Sequence, residues 1–100
     1  MNNKHPYHIL SELTELIEER ATNSNSKSYT SSLLQQGVDR IGKKIVEEAG
    51  EVLIAAKNGD PVELSNESAD LIFHLLLLLK NQGISLKEVC DILQKRRHLK

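Results

Sequence analysis

Five acidic residues stand in a pattern split over two stretches of a 100-residue chain. Glu47, Glu48 and Glu51 come first; Glu67 and Asp70 follow after a gap of fifteen residues. In letters this is E-E-x-x-E, then E-x-x-D. Spacings of three and four place such carboxylates on matching faces of α-helices. Two faces of this kind brought together would crowd like charges into a small volume. That arrangement costs repulsion and desolvation unless something positive sits among them. A hard divalent cation with oxygen ligands answers the need, and magnesium (Mg2+) is the natural choice. Magnesium held by carboxylates points to phosphate chemistry.

The elements that must position these residues are legible along the chain. Tyr7 to Ala21 reads as a first helix, with Ile9, Leu10, Leu13, Leu16 and Ile17 at helical spacing. Thr22 to Ser28 is polar and rich in small residues, so it reads as a loop. Tyr29 to Gln36 is a short helix with Ser28 as N-cap, ended or bent by Gly37. Val38 to Lys57 is a long helix closed by Asn58-Gly59. Asp60-Pro61-Val62-Glu63 opens the next helix with a cap, a first-turn proline and a capping-box-like glutamate. That helix runs to about Gln82, where Gly83 stops it. Ser85 to Glu88 is a second capping box, starting a last helix to about Arg97. The expectation is one all-α domain over residues 1–100, four main helices plus a short one, with no strand, repeat or linker.

On the long helix, an advance of about 100° per residue puts Ile41, Ile45 and Val52 on one stripe, with Glu48 inside it. Glu47 and Glu51 flank the stripe, near Arg40 and Lys44. A carboxylate within an apolar stripe demands a partner. The plainer alternative is a solvated pair with Lys44, four residues earlier. On the following helix, residues 71–73 and 75–79 are apolar on every side, the mark of a buried helix. Yet Glu63, Glu67, Asp70 and His74 line up at spacings of four, three and four. His74 is a core histidine or a donor that orients the Asp70 carboxylate one turn before it. The whole stripe reads either as half of a metal site or as a polar network fixing helix register. A short turn at Asn58 to Pro61 makes the two helices antiparallel neighbours. Glu48 and Glu51 lie up to ~10 residues before that turn, and Glu67 and Asp70 a similar distance after it, so the sets reach comparable heights. Gly50, a poor helix former inside the acidic motif, would permit a close helix approach.

Composition excludes several classes. The formal net charge is −1, against a nucleic-acid binder that relies on general basicity. Tryptophan is absent, and Tyr7, Tyr29 and Phe73 are the aromatic residues. No apolar run approaches the roughly 20 residues that span a bilayer. No secretory signal is visible at the start, and the lone Cys90 suits a reducing, cytoplasmic setting. A chain this short buries a limited core, so oligomerisation would help it.

E-E-x-x-E followed by E-x-x-D on two helices resembles the signature of the all-α nucleoside triphosphate pyrophosphohydrolases, the MazG-like superfamily. Within it, several segments resemble the phosphoribosyl-ATP pyrophosphohydrolase family of histidine biosynthesis. They are Arg20 with Ser28-Tyr29-Thr30, Gly37, K-I-V-E-E-A-G-E at 44–51, E-S-A-D-L-I-F-H at 67–74, and the closing Leu93 and Arg96. The resemblance covers about residues 10 to 97. Phe73 departs from it, since the family often carries tyrosine there, which removes a hydroxyl but no ligand.

The resemblance implies hydrolysis of phosphoribosyl-ATP between the α and β phosphates, giving phosphoribosyl-AMP and pyrophosphate with magnesium required. It also implies a homodimer whose helices complete a bundle around each site. In some organisms the activity is fused to the cyclohydrolase of the next step, and these residues read as the pyrophosphohydrolase part alone. The expected chemistry is metal-assisted attack of water on phosphorus. Glu48, Glu51, Glu67 and Asp70 are the expected metal ligands. Glu47 is a further ligand or the general base. Lys44 contacts phosphate as a point charge, or pairs with Glu47 or Glu48. Arg20, Ser28, Tyr29 and Thr30 are substrate contacts on the resemblance; otherwise Tyr29 is a packing residue and Arg20 a helix-end cation. Lys95, Arg96 and Arg97 read as a solvated helix end. Two other readings share the acidic motif: a pyrophosphohydrolase of (d)NTPs, and a non-catalytic helical dimer with a structural polar stripe.

Overall fold

The structure is a computed structural model and describes residues 5–23, 25 and 27–100. Among the described residues it contains five α-helices and no strand. A 3-10 turn over Pro6–His8 leads into α1, Ile9–Thr22. Helix α2 is Tyr29–Gln36, α3 is Val38–Lys57, α4 is Pro61–Asn81 and α5 is Leu86–Arg96, followed by a 3-10 turn over Arg97–Leu99.

The all-α expectation holds, and the boundaries of α2 and α3 are as read from the sequence. The first helix differs at both ends. Tyr7 lies in the 3-10 turn, where its N–H donates to His5 Nδ1 at 3.2 Å. Thr22 stays helical because its hydroxyl donates back to the Glu18 and Glu19 carbonyls, both at 3.1 Å. Of the expected loop 22–28, residues 24 and 26 lie outside the described residues. The caps act as expected. Asp60 accepts from the Glu63 N–H, and Ser85 with Glu88 forms a full capping box.

Helices α3 and α4 form the longest contact in the chain, an antiparallel pair closed by the turn at Asn58–Asp60. Helices α1 and α2 lie against this pair. Their meeting point is the core: Ile17 from α1, Leu33 from α2, Ile41 from α3, and Leu76 and Leu77 from α4. One chain cannot cover the rest. Helix α4 was expected to be buried all round, but Ile72 and Leu75 are exposed, because α1, α2 and α3, with Leu86 at the start of α5, leave part of its surface uncovered. Helix α5 makes its main contacts with the turn that follows it and has no buried residue. The radius of gyration is 15.1 Å, against about 13 Å for a compact chain of this length. The close approach that Gly50 would permit is not used among the described residues, since a Cβ there would meet nothing within 4 Å.

Gly37 both ends α2 and begins α3, at φ 90° and ψ −171°. That region is essentially open to glycine alone. A Cβ there would meet no atom within 4 Å, so the cost of a side chain is purely conformational. Gly37→Ala is expected to lower stability by about 1–3 kcal/mol, read as a lower urea midpoint at unchanged slope.

Candidate metal and phosphate site

The acidic motif is built where α3 faces α4. Glu48 sits in the apolar stripe of α3, as its position between Ile45 and Val52 predicts, and is only 6% exposed. Glu47, one residue back, is exposed. The stripe geometry therefore separates the two neighbours: Glu48 faces inward and Glu47 outward.

The partner demanded by the buried carboxylate is His74 of α4, itself 4% exposed. Its Nδ1 stands 2.7 Å from Glu48 Oε1. The same nitrogen lies 2.8 Å from the backbone carbonyl of Asp70 and is aligned with it. The expectation that His74 orients the Asp70 carboxylate is thus corrected, because i to i+4 geometry brings the ring onto the carbonyl one turn back. Glu48 Oε1 is close to Nδ1 but off the hydrogen-bond line. It has no aligned donor among the described residues. Burial pushes the Glu48 carboxyl up; His74 and Lys44 pull it back, and Asp70 adds a like charge.

One turn along, Glu51 of α3 meets Glu67 of α4. Glu67 is half-buried, and its carboxyl is pushed up to about 7. The main cause is the neighbouring Glu51 carboxyl as a hydrogen-bond partner, followed by Glu63 on its own helix, then burial and the like charges of both. So the two helices do bring the motif together, as Glu48 beside Asp70 and Glu51 against Glu67. In this arrangement of side chains no three His, Cys, Asp or Glu groups form a ready-made ligand cluster among the described residues.

The other expected residues divide. Lys44 Nζ is 4.0 Å from Glu47 Oε1, so of its two readings the chain displays the ion pair. Arg20 is bound to its neighbour Glu19 at 2.7 Å. Ser28 caps α2 by accepting from the Ser31 N–H at 3.1 Å, and Thr30 is buried. Tyr29 is 52% exposed, and its hydroxyl lies 2.7 Å from His74 Nε2. Two contributors were missed by sequence reasoning. Buried Ser31 donates to the Arg20 carbonyl at 3.2 Å and fastens α2 to the end of α1. The Tyr29–His74 contact spans 45 residues, a separation that no local spacing announces. A groove of about 230 Å3 opens elsewhere, between Ile17, Leu76, Leu79 and Leu86, with the Glu18–Lys80 ion pair on its wall. It is mainly apolar and no residue of the acidic motif reaches it.

The Glu67 carboxyl generates a prediction. Its pKa rises from 4.5 toward about 7 on folding, so the folded state holds a proton that the unfolded chain releases across that window. Stability without divalent cations should therefore fall as pH rises from 4.5 through 7, then level off. Glu67→Gln removes this dependence. In chelator, the melting temperature of Glu67→Gln relative to the parent should climb across the same window; a constant difference would contradict the crowding.

Residues 10–97 match the family described as phosphoribosyl-ATP pyrophosphohydrolase. A phosphoribosyl-ATP pyrophosphatase of Leptospira biflexa is 53% identical over 88 residues, which is 88% of this chain and 96% of that protein. A second, from Pyrobaculum arsenaticum, is 44% identical over 89 residues, covering 89% and 95%. The histidine biosynthesis bifunctional protein HisIE of Bacillus subtilis is 50% identical over 88 residues, 88% of this chain but 42% of that protein. The chain thus spans under half the length of the bifunctional relatives it matches. Among the described residues no helix is long and apolar enough to cross a membrane. By the extent of the family match and by identity to full-length relatives, the chain belongs to the phosphoribosyl-ATP pyrophosphohydrolase family.

Proposed function

We propose that this protein hydrolyses phosphoribosyl-ATP to phosphoribosyl-AMP and pyrophosphate, the second step of histidine biosynthesis, in the cytoplasm. The observation that carries the reading is the meeting of two acidic helix segments, Glu48 beside Asp70 and Glu51 against Glu67, in a member of this family.

The residues fit magnesium by their chemistry. They offer hard carboxylate oxygens from two helices, a buried Glu48 oxygen with no aligned donor, and a Glu67 whose carboxyl is pushed up by the carboxylates of Glu51 and Glu63. Glu48, Glu51, Glu67 and Asp70 are assigned as the ligands. A magnesium ion held by these residues would supply neutralisation of phosphate charge and a more acidic water. Glu47, exposed beside the group, is a further ligand or the base that takes the water's proton. Lys44 can exchange its 4.0 Å pair with Glu47 for a phosphate oxygen at little cost, since exposed pairs are worth about 0–1 kcal/mol. Arg20, Ser28, Tyr29 and Thr30 are proposed substrate contacts. Arg20 and the exposed ring of Tyr29 have surface to offer, whereas Ser28 and Thr30 would act by holding α2 in place.

A second copy of the chain completes the reading. Val46, Leu53 and Ile54 of α3 and Ile72 and Leu75 of α4 are exposed apolar residues on the helices that carry the site. A homodimer would cover such residues and deepen an otherwise shallow acidic face. Sedimentation should give about twice the chain mass of 11.2 kDa, and a single-chain mass would contradict it.

The activity is tested by pyrophosphate release from phosphoribosyl-ATP, ATP and a dNTP panel, each with and without magnesium. Magnesium-dependent release from phosphoribosyl-ATP alone is expected. Release from dNTPs would keep the acidic site and discard the substrate; silence throughout would favour a non-catalytic module. Glu48→Gln should lower kcat on the order of 100-fold or more while the circular dichroism stays helical.

A further inference from the structure

One imidazole touches three helices. His74 Nε2 lies 2.7 Å from the hydroxyl of Tyr29, the first residue of α2. Its Nδ1 lies 2.7 Å from Glu48 of α3 and 2.8 Å from the Asp70 carbonyl of α4. The ring is 4% exposed and Glu48 is 6% exposed, so water does not mediate these contacts freely. Phe73 and Tyr29 stack with centroids 6.4 Å apart, and both meet the imidazole edge-on, at 5.3 and 5.7 Å. A neutral imidazole has one N–H. With that proton on Nδ1, Nε2 accepts from the Tyr29 hydroxyl. Two acceptors, the Asp70 carbonyl at 2.8 Å and Glu48 Oε1 at 2.7 Å, then stand around the single Nδ1–H, the carbonyl in the better line. Any turn of the Glu48 carboxylate toward or away from Nδ1 changes the footing of the ring on which Tyr29 rests.

We propose that His74 and Tyr29 are positioning residues: the line from the Tyr29 hydroxyl through the imidazole to Glu48 sets the orientation of that carboxylate and ties it to the start of α2. Loading of a divalent cation at Glu48 is therefore reported at the Tyr29 ring, and loss of the imidazole weakens the cation site without removing a ligand. The cation half of this rests on the reading of Glu48 as a metal ligand. The line from Tyr29 to Glu48 does not.

The chain has no tryptophan and two tyrosines, so Tyr7→Phe, a change at an exposed residue, leaves Tyr29 as the single tyrosine reporter. In that background and without metal, Glu48→Gln should shift the ultraviolet absorbance and emission of Tyr29. With His74→Phe also present, the shift should vanish. Titration with Mn2+, followed by the paramagnetic resonance of the free ion, should show about 10- to 100-fold weaker binding for His74→Phe, the range for losing a group that orients a ligand. His74→Asn, which returns a donor near the Nδ1 position, should recover affinity but not the Tyr29 response. Tyr29→Phe removes one hydroxyl from a half-exposed ring and should weaken Mn2+ by a smaller factor; it keeps the test available if His74→Phe folds poorly. An unmoved Tyr29 signal on Glu48→Gln, or parental Mn2+ affinity in both His74→Phe and Tyr29→Phe, would overturn the proposal. If the parent binds no Mn2+, the ligand assignment fails, and the metal-free Glu48→Gln arm still decides whether the line exists.

Discussion

Everything else in this chain has to accommodate a carboxylate buried between two helices. Glu48 occupies a place in α3 where an aliphatic residue would fit the surrounding stripe. A buried carboxylate without a partner is expensive, so α4 must present one at the same height. It presents His74, whose Nδ1 lies 2.7 Å from Glu48 Oε1, so the two residues stand level across the contact between α3 and α4. Once Glu48 and His74 are level, the rest of the acidic pattern follows from helix geometry. Asp70 lies one turn before His74, and Glu51 and Glu67 come opposite each other. The core residues alone would not choose this register, because runs of leucine along α4 could pack at several heights.

The same arrangement explains why the chain is stable enough to hold a repulsive cluster. The apolar core formed by Ile17, Leu33, Ile41, Leu76 and Leu77 lies toward α1 and α2, while the carboxylates occupy the other reach of the α3–α4 pair. The crowding raises the Glu67 carboxyl to about 7, so that its charge is given up more readily than that of a free glutamate. A divalent cation would relieve that crowding, and hydrolysis would then use charge repulsion already present in the folded chain. The cost of this design is visible in the apolar residues left exposed on α3, α4 and α5, which a second copy would cover.

Much of this was legible in the sequence. The periodicity of Ile41, Ile45 and Val52 places Glu48 inward, and Gly37, Asp60-Pro61 and Ser85 mark the boundaries that the chain uses. What could not be read was the contact made by each nitrogen of His74. Helical spacing put it near Asp70, but whether the ring meets a carboxylate or a carbonyl depends on a rotamer, and its second contact comes from Tyr29, distant in sequence. Local patterning also exaggerated the burial of α4. An apolar surface on every side of a helix states what must be covered, not which chain covers it, and Ile72 and Leu75 remain exposed in the single chain. Gly50 likewise permits a close approach without requiring one, and the single chain does not use it.

The most direct test of this account is to find the cation. Crystals grown with manganese, measured at an energy where the metal scatters anomalously, would show one strong peak or more. The account predicts a peak bonded to Glu48 and to at least one of Glu67 and Asp70, bridging α3 and α4. A peak bound only at exposed carboxylates away from Glu48, or none at saturating manganese, would contradict it and leave Glu48 and His74 as a structural pair.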